Sequence, residues 1–125
     1  MFDHVGVNVS DYGVSKRFYE GALAPLGYAV AMEFAEWKTA GFGAEAVPGH
    51  FWISEREPRT TGTHVAFKSP DRATVDAFHA AGLEAGGTDN GAPGVREHYH
   101  PTYYSAFVLD PDRNNVEAVC HTAPT

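Results

Sequence analysis

The chain has 125 residues, the size of a single domain or of two fused half-domains. Hydrophobic residues make up 43% and charged residues 20%, a balance that excludes an intrinsically disordered chain. Sixteen acidic against nine basic residues leave a formal charge of −7, so the basic footprint expected of a nucleic-acid-binding protein is missing. Apolar runs reach only about five residues where a membrane span needs about 20, and no membrane association is expected. The start Met1-Phe2-Asp3-His4 has neither the basic segment nor the apolar stretch of a secretory signal, and the single Cys120 excludes an internal disulfide. Both features point to the reducing cytoplasm.

Residues 2–9 alternate, with Val5, Val7 and Val9 on one face and His4, Gly6 and Asn8 on the other, which is the signature of a strand. Ser10-Asp11 offers a helix cap, Val14, Phe18 and Leu23 follow near helical spacing up to Leu26, and Gly27 ends the helix. Strands are predicted at 28–34, 37–42 and 50–54, with turn signals at Gly43, Pro48 and Gly49 between the last two. The charged segment 55–62 reads as a linker, after which the pattern restarts. The strand 63–68 turns Val65 and Phe67 one way and His64, Ala66 and Lys68 the other. Ser69-Pro70-Asp71 opens a second helix with the serine as cap, a buried stripe of Val75, Phe78 and Ala81, and Gly82 as its end. A short strand at 83–86, a long loop at 87–101 and strands at 103–109 and 116–120 complete the second half.

Strand–helix–three strands therefore occurs twice in one domain, over residues 1–55 and 63–122. The expected fold is α+β, two βαβββ modules forming a curved mixed sheet. The helices cover its outer face, and the remaining faces line a shared cup.

His4 and His64 lie opposite their valine faces, and alternation from Val116, Ala118 and Cys120 places Glu117 on the same side. Two imidazoles and a carboxylate from three strands can form a facial triad with open positions on one divalent metal ion. Such ligands suit Zn, Mn, Fe(II), Co and Ni alike. A single histidine on a strand is more often hydrogen-bonded or exposed than a ligand; the equivalent placement of two of them in two repeats is what singles these out. The stretch His98-Tyr99-His100-Pro101-Thr102-Tyr103-Tyr104 gathers two histidines and three tyrosines at a loop–strand junction, suited either to proton transfer or to bracing the loop. His79 reads as helix surface and Cys120 as a small buried hydrophobe.

The segments Asp3-His4-Val5-Gly6-Val7, Thr63-His64-Val65-Ala66-Phe67 and Asp110-Pro111-Asp112-Arg113-Asn114-Asn115-Val116-Glu117 resemble the vicinal oxygen chelate superfamily. That superfamily includes glyoxalases, extradiol dioxygenases, fosfomycin-resistance enzymes and bleomycin-binding proteins, and the resemblance extends over essentially the whole chain. It implies paired modules around a metal-binding cup, usually in a homodimer, with His4, His64 and Glu117 as the metal ligands. Arg113 stands where the family's turn commonly has a glycine. The fourth strand turns His50, Trp52 and Ser54 to the cup, and none matches the fourth carboxylate or amide ligand of glyoxalase I, so methylglyoxal–glutathione isomerisation is not expected. Extradiol dioxygenases share the three-ligand set and add a histidine and a tyrosine. His98 matches the histidine, Phe107 occupies the tyrosine's place, and Tyr103 lies on the same face.

The expected function is that of a glyoxalase-like, metal-dependent enzyme of lyase or isomerase type acting on a small oxygenated molecule. His98, His100 and Tyr103 are the candidate catalytic groups, and Trp52, Phe107 and His121 the candidate substrate contacts. Two rivals stay open. One is an Fe(II) extradiol-type dioxygenase; the other is a non-catalytic small-molecule binding or resistance protein with an aromatic cage of Trp52, Tyr103 and Phe107.

Overall fold

Alternating valines make β1 (Val5–Val9) a two-faced strand, with Val7 and Val9 buried and Asn8 turned away from the core. The Asp11 carboxylate accepts from the Val14 N–H at 3.0 Å and opens α1 (Tyr12–Leu23), which buries Phe18, Tyr19, Ala22 and Leu23. Strands β2 (Ala29–Phe34), β3 (Thr39–Ala44) and β4 (Val47–Glu55) close the first module. The second repeats it with β5 (His64–Lys68), α2 (Arg72–Glu84), β6 (Thr88–Val95), β7 (Tyr104–Leu109) and β8 (Asn115–Cys120). This computed structural model describes residues 1–44 and 47–124. Among the described residues no helix is long and apolar enough to cross a membrane.

The strands form two four-stranded mixed sheets, ordered β1-β4-β3-β2 and β5-β8-β7-β6. In each, the first and last strands of the module run parallel and the other pairs antiparallel. One core joins the modules: Val9, Phe18 and Ile53 of the first belong to the same cluster as Val75, Phe78 and Val108 of the second. The helices meet directly, since a Cβ on Gly21 of α1 would come within 2.6 Å of the Ala85 Cβ after α2. Each large apolar side chain buried there contributes about 1.5–3 kcal/mol, so this common core holds the two halves together. With one face of each sheet committed to it, the opposite faces are left open.

Several elements differ from expectation for identifiable reasons. Asp71, not Ser69, caps α2: its backbone is extended and its carboxylate accepts from Thr74 N–H at 2.8 Å, while the Ser69 hydroxyl donates to the Asp71 carbonyl. Gly82 does not end α2, because it packs under Val108 inside the helix; the turn to the next strand comes at Gly86, with φ 108°. Residues 83–86 are thus helix end and turn rather than strand, and the expected loop holds β6. Its glycines and Pro93 suit an edge strand with broken register, and β6 is such an edge, slipping at Asp89/Gly91 and Gly91/Gly94. In the first module a short 3₁₀ turn at Ala35–Trp37 delays β3 to Thr39, and Gly43 and Gly49 lie within strands. Residues 45 and 46, on which the expected turn falls, lie outside the described residues.

Candidate functional site

The site begins at the turn between β7 and β8. The Asp110 carboxylate accepts from the backbone N–H groups of Asp112 and Asn114, from the Asn114 side chain, and from the Tyr19 hydroxyl of α1 at 2.5 Å. Asp112 in turn accepts from the Ser10 N–H and hydroxyl, which ties the turn to the first module. Arg113 adopts φ 66°, the left-handed conformation that explains why glycine would be at home there. From this fixed turn β8 runs with Val116, Ala118 and Cys120 in the core and Glu117 on the opposite face.

Glu117 is nevertheless only 1% exposed, flanked by its cross-strand partners Ala66 and Phe107. One carboxylate oxygen lies 2.8 Å from His64 Nε2, and the other accepts from the Tyr103 hydroxyl at 2.5 Å. The His64 side chain is 54% exposed, so the pair sits at the mouth of the open sheet face rather than sealed in the core. Burial, and then the Glu117 carboxylate it bonds, push the Tyr103 hydroxyl above the ordinary tyrosine range, and the phenol keeps its proton at neutral pH.

Around this centre the rings are contiguous. Phe107 lies 6.2 Å from His64; His121 and Tyr99 stand edge-on to Tyr103 at 5.2 and 5.1 Å, and His98 lies 4.1 Å from Tyr99. Of the three groups expected to move protons, Tyr103 touches Glu117 directly. His98 reaches the site only through Tyr99, and His100 accepts from the Thr102 N–H at 3.2 Å, a bond that braces the junction. Phe107 and His121, the expected substrate contacts, lie beside His64 and Tyr103. One participant escaped the sequence: Arg96, whose guanidinium lies over the Phe107 ring at 5.5 Å. Its segment reads as a loop, and a loop has no assignable face.

The remaining candidates sit on the other sheet. His4 is 59% exposed, pairs with Asp3 at 2.7 Å, and lines a cleft of about 200 Å³ with Tyr28, His50, Val65 and Lys68; neither His64 nor Glu117 lines it. Trp52 stacks on Phe34 at 6.4 Å with its ring against Gly41, on the open face of the first sheet. Among the described residues no third histidine, cysteine, aspartate or glutamate joins His64 and Glu117. Within one chain, the residues of the expected metal triad and of the expected aromatic cage are divided between the two halves of the fold. Alternation assigns a residue to a face of its own sheet and leaves the relation between sheets undetermined.

Two modules of equivalent strand order, each with one covered and one open sheet face, define the vicinal oxygen chelate fold. The chain belongs to the glyoxalase/bleomycin resistance protein/dioxygenase superfamily, whose model matches residues 1–118. It is similar to the crystal structure of a glyoxalase/bleomycin resistance protein from Albidiferax ferrireducens T118, with 32% identity over 98% of this chain and 99% of that one and a TM-score of 0.82. A putative glyoxalase from Bacillus halodurans shares the fold at 24% identity, with 96% and 95% of the chains covered and a TM-score of 0.70. A glyoxalase/bleomycin resistance protein/dioxygenase family enzyme from Burkholderia phytofirmans PsJN does so at 20% identity, 96% and 98% coverage and a TM-score of 0.70. No curated protein matches the chain.

Proposed function

We propose that the chain is a metal-dependent, glyoxalase-like enzyme of the lyase or isomerase type that acts on a small oxygenated molecule, in the cytoplasm and as a homodimer. The observation that carries this reading is the pairing of His64 Nε2 with the buried Glu117 carboxylate on an open sheet face. A carboxylate removed from water is costly unless donors or a cation meet it, and among the described residues Glu117 has two partners, His64 and Tyr103. An imidazole nitrogen and a carboxylate oxygen fit Zn, Mn, Fe(II), Co or Ni. His64 and Glu117 would hold the ion, with His4 as third ligand contributed by a second copy of the chain. When bound, such an ion supplies Lewis acidity toward adjacent substrate oxygens.

The chain's own contribution is the proton on Tyr103. Its hydroxyl donates to Glu117 and, with its pKa raised by burial and by that carboxylate, keeps its proton at neutral pH. His121 stands edge-on to its ring, and Phe107 lies beside His64 on the same sheet face.

Reconstitution with each of the five metals, followed by elemental analysis, tests the reading. About one equivalent per chain is expected, and Glu117→Ala should lose it. Failure of the wild type to take up any of them overturns the proposal. Tyr103→Phe should keep the metal and the melting temperature while lowering turnover about 10²–10⁴-fold across a panel of 2-hydroxy and 2-oxo compounds. Unchanged turnover at equal metal content would remove Tyr103 from the chemistry. The exposed stack of Phe34, Trp37 and Trp52 favours a second reading as a binding protein, for which tight uptake of an aromatic ligand without turnover is the discriminating result.

A further inference from the structure

The guanidinium of Arg96 lies over the open face of the second sheet. It stacks on Phe107, the cross-strand neighbour of Glu117, at 5.5 Å. Two glycines of β6 make room for it: a Cβ on Gly91 would stand 3.2 Å from Nη2, and one on Gly94 would stand 2.9 Å from Nη1. Nη2 donates to the Ala92 carbonyl at 2.7 Å, while Nε and Nη1 have no acceptor among the described residues. Nor does any carboxylate among them come within ion-pair distance of Arg96. In a chain of net charge −7, an unpaired arginine held in place by its backbone is an arrangement with free donors to offer. The floor beside it is polar and also unsatisfied: Ser105, cross-strand from Gly94, has a buried hydroxyl with no hydrogen-bond partner. A bracing role for Arg96 accounts for its contact with the ring but not for the orphaned hydroxyl of Ser105.

We infer that Arg96 is the anion-binding residue of the site and that the substrate carries a carboxylate, with its hydroxyl or carbonyl oxygens directed at the His64–Glu117 pair. This rests on the proposed function above and names its substrate class. An arginine fork matches a carboxylate by two parallel charge-assisted hydrogen bonds, through Nε with Nη2 or Nη1 with Nη2; Nη2 gives one of its two hydrogens to the Ala92 carbonyl, so one of these edges stays available. Neighbouring strands lie about 4.8 Å apart, so a hydroxy acid of about three or four carbons is long enough to touch both Arg96 and Glu117.

Hydroxymalonate and glycerol share a three-carbon skeleton and differ in charge, which makes them suitable probes. Calorimetric titration of the metal-loaded wild type should show hydroxymalonate binding at least about tenfold more tightly than glycerol. Arg96→Gln should lose about tenfold or more in hydroxymalonate affinity, and Arg96→Lys should recover part of it, because the charge returns without the fork. Both variants are compared at wild-type metal content and melting temperature; should Arg96→Gln fold poorly, Arg96→Lys alone still carries the comparison. Equal affinity of wild type and variants for hydroxymalonate, or no preference for it over glycerol, overturns the inference. The same titration on metal-free protein separates the two proposals. Arg96-dependent binding that persists in a protein unable to take up metal sinks the metal reading and leaves this one standing, whereas normal metal uptake without dependence on Arg96 does the reverse.

Discussion

Purified heterodimers of His4→Ala and Glu117→Ala chains should bind metal although neither homodimer does. The expectation follows from the division of the three proposed ligands. His64 and Glu117 belong to one sheet and hydrogen-bond each other, while His4 stands on the other sheet in a cleft that excludes both. If His4 serves the pair on a second copy, a heterodimer has one site with both lesions and one with none. It should then hold about half an equivalent of metal per chain. If all three ligands came from the same chain, each of its sites would carry one lesion and the heterodimer would stay empty. Elemental analysis of differentially tagged, co-purified chains reads the difference. An empty heterodimer would sink the shared site, and a His4→Ala homodimer that kept a full equivalent would remove His4 from the ligand set.

That division also marks where the sequence stops being informative. Wherever side chains alternate, the faces are legible: Val7 and Val9 against Asn8, or Val116 and Ala118 against Glu117, are set by the pleat of the strand itself. The Asp110–Asn115 turn is legible because its polar residues serve their own backbone. Other features depend on long-range packing. Gly82 reads as a helix end because a glycine in a helix is costly, yet Val108 fills the space above it and the helix continues. The segment Gly87–Val95 reads as a loop because glycine and proline weaken a central strand, whereas only its place at the sheet edge, invisible locally, makes β6 possible. Arg96 was hidden by the same misreading. Once β6 is a strand, the arginine just beyond its end acquires a surface to fold back on. For His100 the junction is legible in the sequence but its local partner, the Thr102 N–H from which it accepts, is not.

Asp110→Asn should be the most destabilising single change among the polar residues, because the turn that positions Glu117 also joins the two modules. Asp110 is 4% exposed, and its two oxygens accept from four donors: two backbone N–H groups, the Asn114 side chain and the Tyr19 hydroxyl. An asparagine would fit the space, but its amide N–H₂ would face donors where an acceptor is needed, leaving buried groups unsatisfied and removing the charge that strengthens each bond. The expected cost is about 3–5 kcal/mol, and Tyr19→Phe, which deletes a single donor and leaves three, should cost about 1–2 kcal/mol. Both are measured by denaturant unfolding at equal chain concentration, since the proposed dimer would make apparent stability depend on it. Tyr19 is far from His64 and Glu117 in sequence but joins α1 to the turn before β8, so its loss should loosen the docking of the two modules while leaving the His64–Glu117 pair intact. Asp110→Asn, in contrast, releases the turn itself and with it the register of β8, so metal affinity should fall together with stability. A mutant within about 1 kcal/mol of wild type would show that the turn holds its shape without this carboxylate, and that Glu117 is positioned by the β5–β8–β7 ladder alone.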